Sequence, residues 1–232
     1  MRKTLQDFNH IFREASSLTV SLLFVSVIGM NLLANKSIDT GVDWLALDCG
    51  LLFSWLTFLA MDILTQSCGP KAATMLSFAA LLMNLMMAAV FYVASQIPGV
   101  WSESFVDGSE KILNNALDNT FGGTWFVLLG SSIAFISSAA LNNFLNHGIG
   151  KTLKVLRGFG HFAVRAYVST FVAQFADNLI FALLVSKIFF GWTLTQCFTC
   201  AMTGAIVELL CEVLFSPLGY GLSKGFLATE GA

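Results

Sequence analysis

Charge is what this chain has least of. Asp, Glu, Lys and Arg make up 11% of its 232 residues, against 56% apolar. A soluble domain carries about 25% charge, so this composition cannot build a water-facing surface. An integral membrane protein in a lipid bilayer is expected instead. No basic run is long enough to follow a phosphate backbone, and a net charge of −2 gives no reason to expect nucleic acid as a partner. The G-x-x-x-x-G-K-[ST] loop is absent, so any use of ATP has to come from another subunit. Cys197-Phe-Thr-Cys200 has neither a histidine nor a second CxxC beside it, so no metal and no cofactor are expected. Cysteines number five, an odd count, and most lie in or beside apolar runs. Plain thiols packed between helices fit that better than a disulfide framework. The polar start, Met1-Arg-Lys-Thr-Leu-Gln-Asp-Phe, lacks a signal-peptide cleavage site, so the first apolar run is expected to be retained.

What is present is a series of apolar runs: Ala15 to Ala34, Trp44 to Gln66, Ala72 to Ala94, Phe121 to Leu145, His161 to Ser186 and Trp192 to Leu222. Each is long enough to cross a bilayer. The expected fold is therefore an all-α membrane protein with six transmembrane helices in one bundle over residues 15–222. A polar segment, 1–14, precedes it and a short tail, 223–232, follows. Six spans put both termini on one side, and basic residues choose which. Arg2, Lys3, Arg13, Lys71, Lys151, Lys154, Arg157 and Lys224 fall on that side, and Lys36, Lys111 and Lys187 on the other. The positive-inside rule then makes both termini cytoplasmic. The long connection from Ser95 to Thr120 is acidic. Trp101 and Phe105 within it suggest a segment lying at the interface.

Against this apolar background a few polar residues stand out. In the fifth run Thr170, Gln174, Asp177, Asn178 and Phe181 share one helical side, at about 100° per residue. Arg165 lies on a different side and about 18 Å below Asp177, so those two are no obvious pair. In the second run Phe58, Asp62, Thr65 and Gln66 form a stripe, and Asp48 lies near that run's other end. In the sixth, Gly204, Glu208, Cys211 and Glu212 share a face, and Pro217 is expected to kink or thin the helix end. Carboxylates four apart on a membrane helix repel, so one of Glu208 and Glu212 should be protonated or paired, with Arg165 as a candidate partner. In the fourth run Gly130, Ala134 and Ser138 recur every fourth residue, a spacing that brings helices close. Asn31 and Asn35 end the first run, where capping and interfacial anchoring are the common roles. Such polar rows either glue helices together or line a binding site.

Three blocks resemble the queuosine precursor transporters, also called the vitamin uptake transporter family. They are Asn31-Leu-Leu-Ala-Asn35-Lys36; Phe58-Leu-Ala-Met-Asp62-Ile-Leu-Thr65-Gln66-Ser-Cys-Gly69; and Arg165-x-x-x-Ser169-Thr170-x-x-x-Gln174-x-x-Asp177-x-x-x-Phe181. Glu212-Val-Leu-Phe-Ser-Pro217-Leu fits as well, and the likeness covers residues 30–220. The resemblance implies a six-helix importer of the bacterial inner membrane. Its cargo would be a 7-deazaguanine precursor of queuosine, such as preQ0, preQ1 or queuine, salvaged for tRNA modification. Asp62, Arg165, Gln174 and Asp177 fall on positions that recur in the family's motifs. In place of an early arginine and a later Gln-x-x-Asp, helix four offers Phe126, Ala139 and Asn142.

For a flat, guanine-like ligand the residues available are Asp62, Gln174, Asp177, Asn178, Glu208 and Glu212, with Phe58, Phe181 or Trp55 to stack on the ring. Asp62 and Asp177 are expected to meet at the interface of helices two and five. Arg165 is expected to serve as a gate or a structural ion pair near the inner face. A proton-coupled secondary transporter would use one of these carboxylates as its proton site. Two other readings stand beside it. One is the substrate-binding subunit of an energy-coupling-factor transporter, which needs coupling subunits; a homo-oligomer is the other assembly considered. The second is an intramembrane aspartyl enzyme, but Met61-Asp62 and Ala176-Asp177 lack the Tyr-Asp and Gly-x-Gly-Asp signatures of that class.

Overall fold

The computed structural model describes residues 15–101, 110–152 and 158–229. Six apolar helices carry the fold: α1 (Ser17–Leu33), α2 (Leu51–Ser67), α3 (Pro70–Gln96), α4 (Glu110–Thr152), α5 (Gly158–Phe189) and α6 (Leu194–Thr229). The last four are long and apolar enough to cross a membrane, and α1 and α2 are apolar helices of 17 residues, near the lower limit for a span. The expected six-helix architecture is what forms. Its extra residues, 1–14 and part of the acidic connection including Phe105, lie outside the described residues.

The helices pack in a closed ring, α1–α3–α4–α5–α6–α2 and back to α1. α2 leans inward and touches each of the other five. That is why it is buried almost all round from Thr57 to Thr65, and why its polar residues must find protein partners. Large apolar side chains such as Leu82, Met86, Val90, Leu129, Phe198, Leu210 and Leu214 point outward, as lipid contact requires.

Helix ends follow their local chemistry. Asn35 donates from Nδ2 to Leu32 O (3.1 Å), capping α1. Gly69 takes a left-handed φ of 84° and Pro70 starts α3, where its missing N–H costs nothing. Trp44 to Gly50 does not begin a helix, contrary to the hydropathy reading. Leu47–Asp48 (β2) pairs antiparallel with Ser37–Ile38 (β1) in a short hairpin, and α2 starts only at Leu51. The second half of the acidic connection is helical, since α4 begins at Glu110. Trp101 stacks on Phe121 (centroids 5.1 Å apart) and donates from Nε1 to Asp118 (2.9 Å), closing that connection against α4.

Pro217 does not end α6, which runs on to Thr229. The proline leaves Val213 O without its backbone donor. Ser216 Oγ donates to that oxygen at 2.9 Å, and Tyr167 of α5 holds Ser216 at 2.6 Å. The small-residue stripe of α4 brings a neighbouring helix close, and that helix is α5: a Cβ on Gly130 would collide with Val185, and Ala134 packs with Phe181 and Val185. At that contact α5 widens into a π-turn, Ala182–Ser186. None of the five cysteines forms a disulfide; Cys197 and Cys200 are buried as packing residues.

Candidate functional site

The polar residues form two tiers inside the ring. The upper tier lines a cavity of about 40 Å³ bounded by Asn31, Asp48, Ser54, Asp177, Asn178, Phe181 and Gly204 among others. By volume it admits about three waters and no more. Asp177 comes from α5 and accepts from Ser138 Oγ of α4 at 2.6 Å. Asn178, the next residue, donates to Glu208 of α6 (3.1 Å), whose other oxygen takes the Ser54 hydroxyl of α2. Asn31 of α1 donates to Val27 O (2.8 Å) and accepts the hydroxyl of Ser131. It is 2% exposed, so it is a wall of the cavity rather than an interfacial anchor.

The hairpin closes this tier. Asp48 points its carboxylate inward, where the Gly50 N–H donates to it at 2.8 Å. Burial pushes its pKa up to about 7, against the pull of the Gly50 N–H, with the nearby Asp177 adding to the rise. Two hydrogen bonds dock the hairpin on the start of α6: Gln196 Nε2 to Asp43 O (2.8 Å) and Thr199 Oγ1 to Trp44 O (2.7 Å).

The lower tier centres on Asp62, which is fully buried. Its Oδ1 accepts from Asn142 (2.8 Å) and Asn146 (2.9 Å) of α4, and its Oδ2 from Thr170 of α5 (3.1 Å). Arg165 is half-buried and donates to Asn146 twice, to the backbone O (3.1 Å) and to Oδ1 (2.8 Å). Its charge therefore reaches Asp62 through the Asn146 amide. Glu212 lies against Asp62 and Thr170, yet neither of its oxygens makes a well-formed hydrogen bond. Just outside, Asn143 ties three helices, accepting from Thr65 (3.1 Å) and donating to Thr74 (2.9 Å), which is glue of the ordinary membrane kind.

Gln174 stands between the tiers, one turn from Thr170 and one from Asn178. It is fully buried and both its amide atoms lack a partner. A buried, unmatched amide is costly, so it marks a place where a guest or a moving side chain completes the bonding.

Several expectations change. Asp62 and Asp177 do not pair. Thr170, which touches Asp62, is seven residues from Asp177, about 10 Å along the helix. Glu208 and Glu212 are divided between the tiers rather than facing each other, and Arg165 meets Asn146 instead of Glu212. Phe58 is buried in the apolar core with Met61, Phe135, Ala139 and Ala173, and Trp55 stacks on Phe215 (centroids 4.7 Å apart), so Phe181 is the aromatic at the cavity. Of the altered helix-four positions, Phe126 packs on Phe189 (5.0 Å) and Ala139 in the core, while Asn142 is a direct partner of Asp62. Sequence reasoning missed Asp48, Ser54, Ser138 and Asn146 as site residues. Ser138 belongs to the every-fourth-residue stripe of α4 and Asn146 continues it, so both could have been read from it.

No curated protein and no solved structure matches the chain at a significant level. A family described as "Putative vitamin uptake transporter" matches residues 48–222. That stretch holds the Asp62, Asp177, Glu208 and Glu212 positions of both tiers, so the bundle is a multi-pass membrane transporter fold, and the chain belongs to the vitamin uptake transporter family.

Proposed function

We propose that this chain imports a 7-deazaguanine precursor of queuosine across a bacterial inner membrane, with cytoplasmic termini and with proton coupling. One observation carries the reading. The upper cavity presents Asp48, Asp177 and, through Ser54 and Asn178, Glu208, and among the described residues no Lys, Arg or His lines it. A site so rich in acceptors suits a ligand rich in N–H donors. A carboxylate accepts two such bonds from the amino-amidine edge of a deazaguanine. The Asn178 amide suits the carbonyl edge, and Phe181 offers a face for the ring. Three acids without a cation also favour an amine on the cargo, so the aminomethyl compound suits the site better than the nitrile. The cavity as it stands is smaller than the ring system. Entry therefore requires the hairpin, held by two hydrogen bonds to α6, to lift.

The test is thermal unfolding of the purified protein across guanine, preQ0, preQ1 and queuine. At a hundredfold excess over Kd, a true ligand adds about 2.7 kcal/mol. preQ1 is expected to raise the midpoint most and guanine least; no shift with any deazaguanine would overturn the assignment. A second expectation concerns Gly204, where a Cβ would come 2.6 Å from Asn178 Nδ2. Gly204→Ala should push Asn178 off Glu208 and weaken preQ1 binding about tenfold, the effect of one hydrogen bond to a charged group. Titration of the purified variant reads this directly, and wild-type affinity would exclude Asn178 from the site.

A further inference from the structure

We infer that Glu212 holds the transported proton, as a neutral acid donating to the Asp62 carboxylate in the lower tier. This rests on the transporter reading but concerns a different set of residues from the cargo site. The hydrogen bonds divide the pair. Asp62 receives donors from Asn142, Asn146 and Thr170, the environment of an ionised carboxylate. Glu212 receives no well-formed donor bond, is fully buried, and abuts Asp62 and Thr170. An ionised Glu212 would place two unscreened negative charges side by side with no donor on the second. One proton on Glu212 turns that repulsion into an O–H to carboxylate bond.

The unmatched atoms at this tier point the same way. Both Glu212 oxygens and Asn142 Oδ1 are acceptors without donors. What is missing is a small positive guest. A proton on Glu212 is the smallest guest of that kind, and it bonds directly to the carboxylate beside it.

Charge balance gives the pair a working cycle. The cation facing it is Arg165 of α5, reaching Asp62 through Asn146. α4 presents only the neutral Asn142 and Asn146 there, and on α6 Glu208 stands one turn away, held by Ser54 and Asn178. With Glu212 protonated, Asp62 and Arg165 cancel. When the Glu212 O–H bond breaks, the proton passes to water at the Arg165 end of the bundle and leaves one buried charge in excess. That excess returns the tier to its protonated form. Glu208 and Glu212 share one helix, and Gln174 lies between the tiers with its amide free to bond either way. Cargo bound at Glu208 is thereby felt at Glu212.

Two measurements test this, one of which needs no cargo. The infrared spectrum of the purified protein at neutral pH should show an unionised carboxylic acid band that falls in Glu212→Gln; identical spectra would overturn the proposal. In proteoliposomes with an alkaline interior, wild-type protein should accumulate labelled preQ1 above the outside concentration. Glu212→Gln should lose accumulation at least tenfold and only equilibrate it. Full accumulation by that variant, or accumulation driven by a sodium gradient alone, would also overturn it. If wild-type protein moves no deazaguanine, the cargo assignment fails and the infrared result still decides the proton.

Discussion

Asp177→Asn should lower deazaguanine uptake more than a hundredfold while leaving the protein folded. Asp177 is the acid of the upper tier that comes from the middle of α5. It is held by a single hydroxyl, from Ser138 at 2.6 Å. An asparagine oxygen can still accept that bond, and the side-chain volume barely changes, so the bundle has little reason to open. What changes is the ligand's side. The amide offers one neutral acceptor and turns two donors toward a ligand that is itself donor-rich. Losing a paired set of charge-assisted bonds and adding a donor clash costs about 3 kcal/mol, a little over a hundredfold. Uptake of labelled preQ1 by cells that cannot make it measures the effect, and the unfolding midpoint of purified protein checks the fold. Wild-type uptake by this variant would remove Asp177 from the cargo site.

The parts of the fold that hydropathy encodes were legible, and those set by how one helix lies against another were not. Six apolar runs and the break at Gly69–Pro70 follow from composition and backbone chemistry. The stripe Thr170, Gln174, Asp177, Asn178 on α5 followed from the helical angle, and each of its members is in or between the tiers. Which stripe meets which depends on the depth of one helix against its neighbour, and a single sequence carries no such register. That is why Asp62 was matched with Asp177 when its real neighbours are Asn146 and Glu212. Sorting residues by type hid another piece. Gly130, Ala134 and Ser138 carry a packing signal and Asn142 and Asn146 a polar one, yet all five repeat at one spacing and face α5 or α2. The hairpin was lost for a third reason: Trp44 to Gly50 is apolar enough to pass for the start of a span. Its role depends on pairing with β1 and on docking against α6, which is remote in sequence.

The largest effect on stability should come from Asn146→Leu. This one amide makes three links at once: Nδ2 to Asp62 (2.9 Å), Nδ2 to Ser169 (3.4 Å) and Oδ1 from Arg165 (2.8 Å). It joins a fully buried carboxylate to the cation that balances it. Leucine fills the same space but leaves Asp62 one donor short and turns the guanidinium toward an apolar wall. The guanidinium has little freedom to retreat, because it packs on Gly150, where a Cβ would come 2.6 Å from Cζ. Losing two hydrogen bonds to charged groups, one at Asp62 and one at Arg165, at about 1.5–3 kcal/mol each, costs about 3–5 kcal/mol in all. For a chain of this size each kcal/mol is worth about 2–4 °C, so the unfolding midpoint should fall on the order of 10 °C. Asn142→Leu supplies the comparison, since it removes one bond to Asp62 and leaves the Arg165 link whole. Its midpoint should fall by less than half as much. If the two variants unfold at the same temperature, the amide bridge to Arg165 carries no weight, and Asp62 is held by its donors alone.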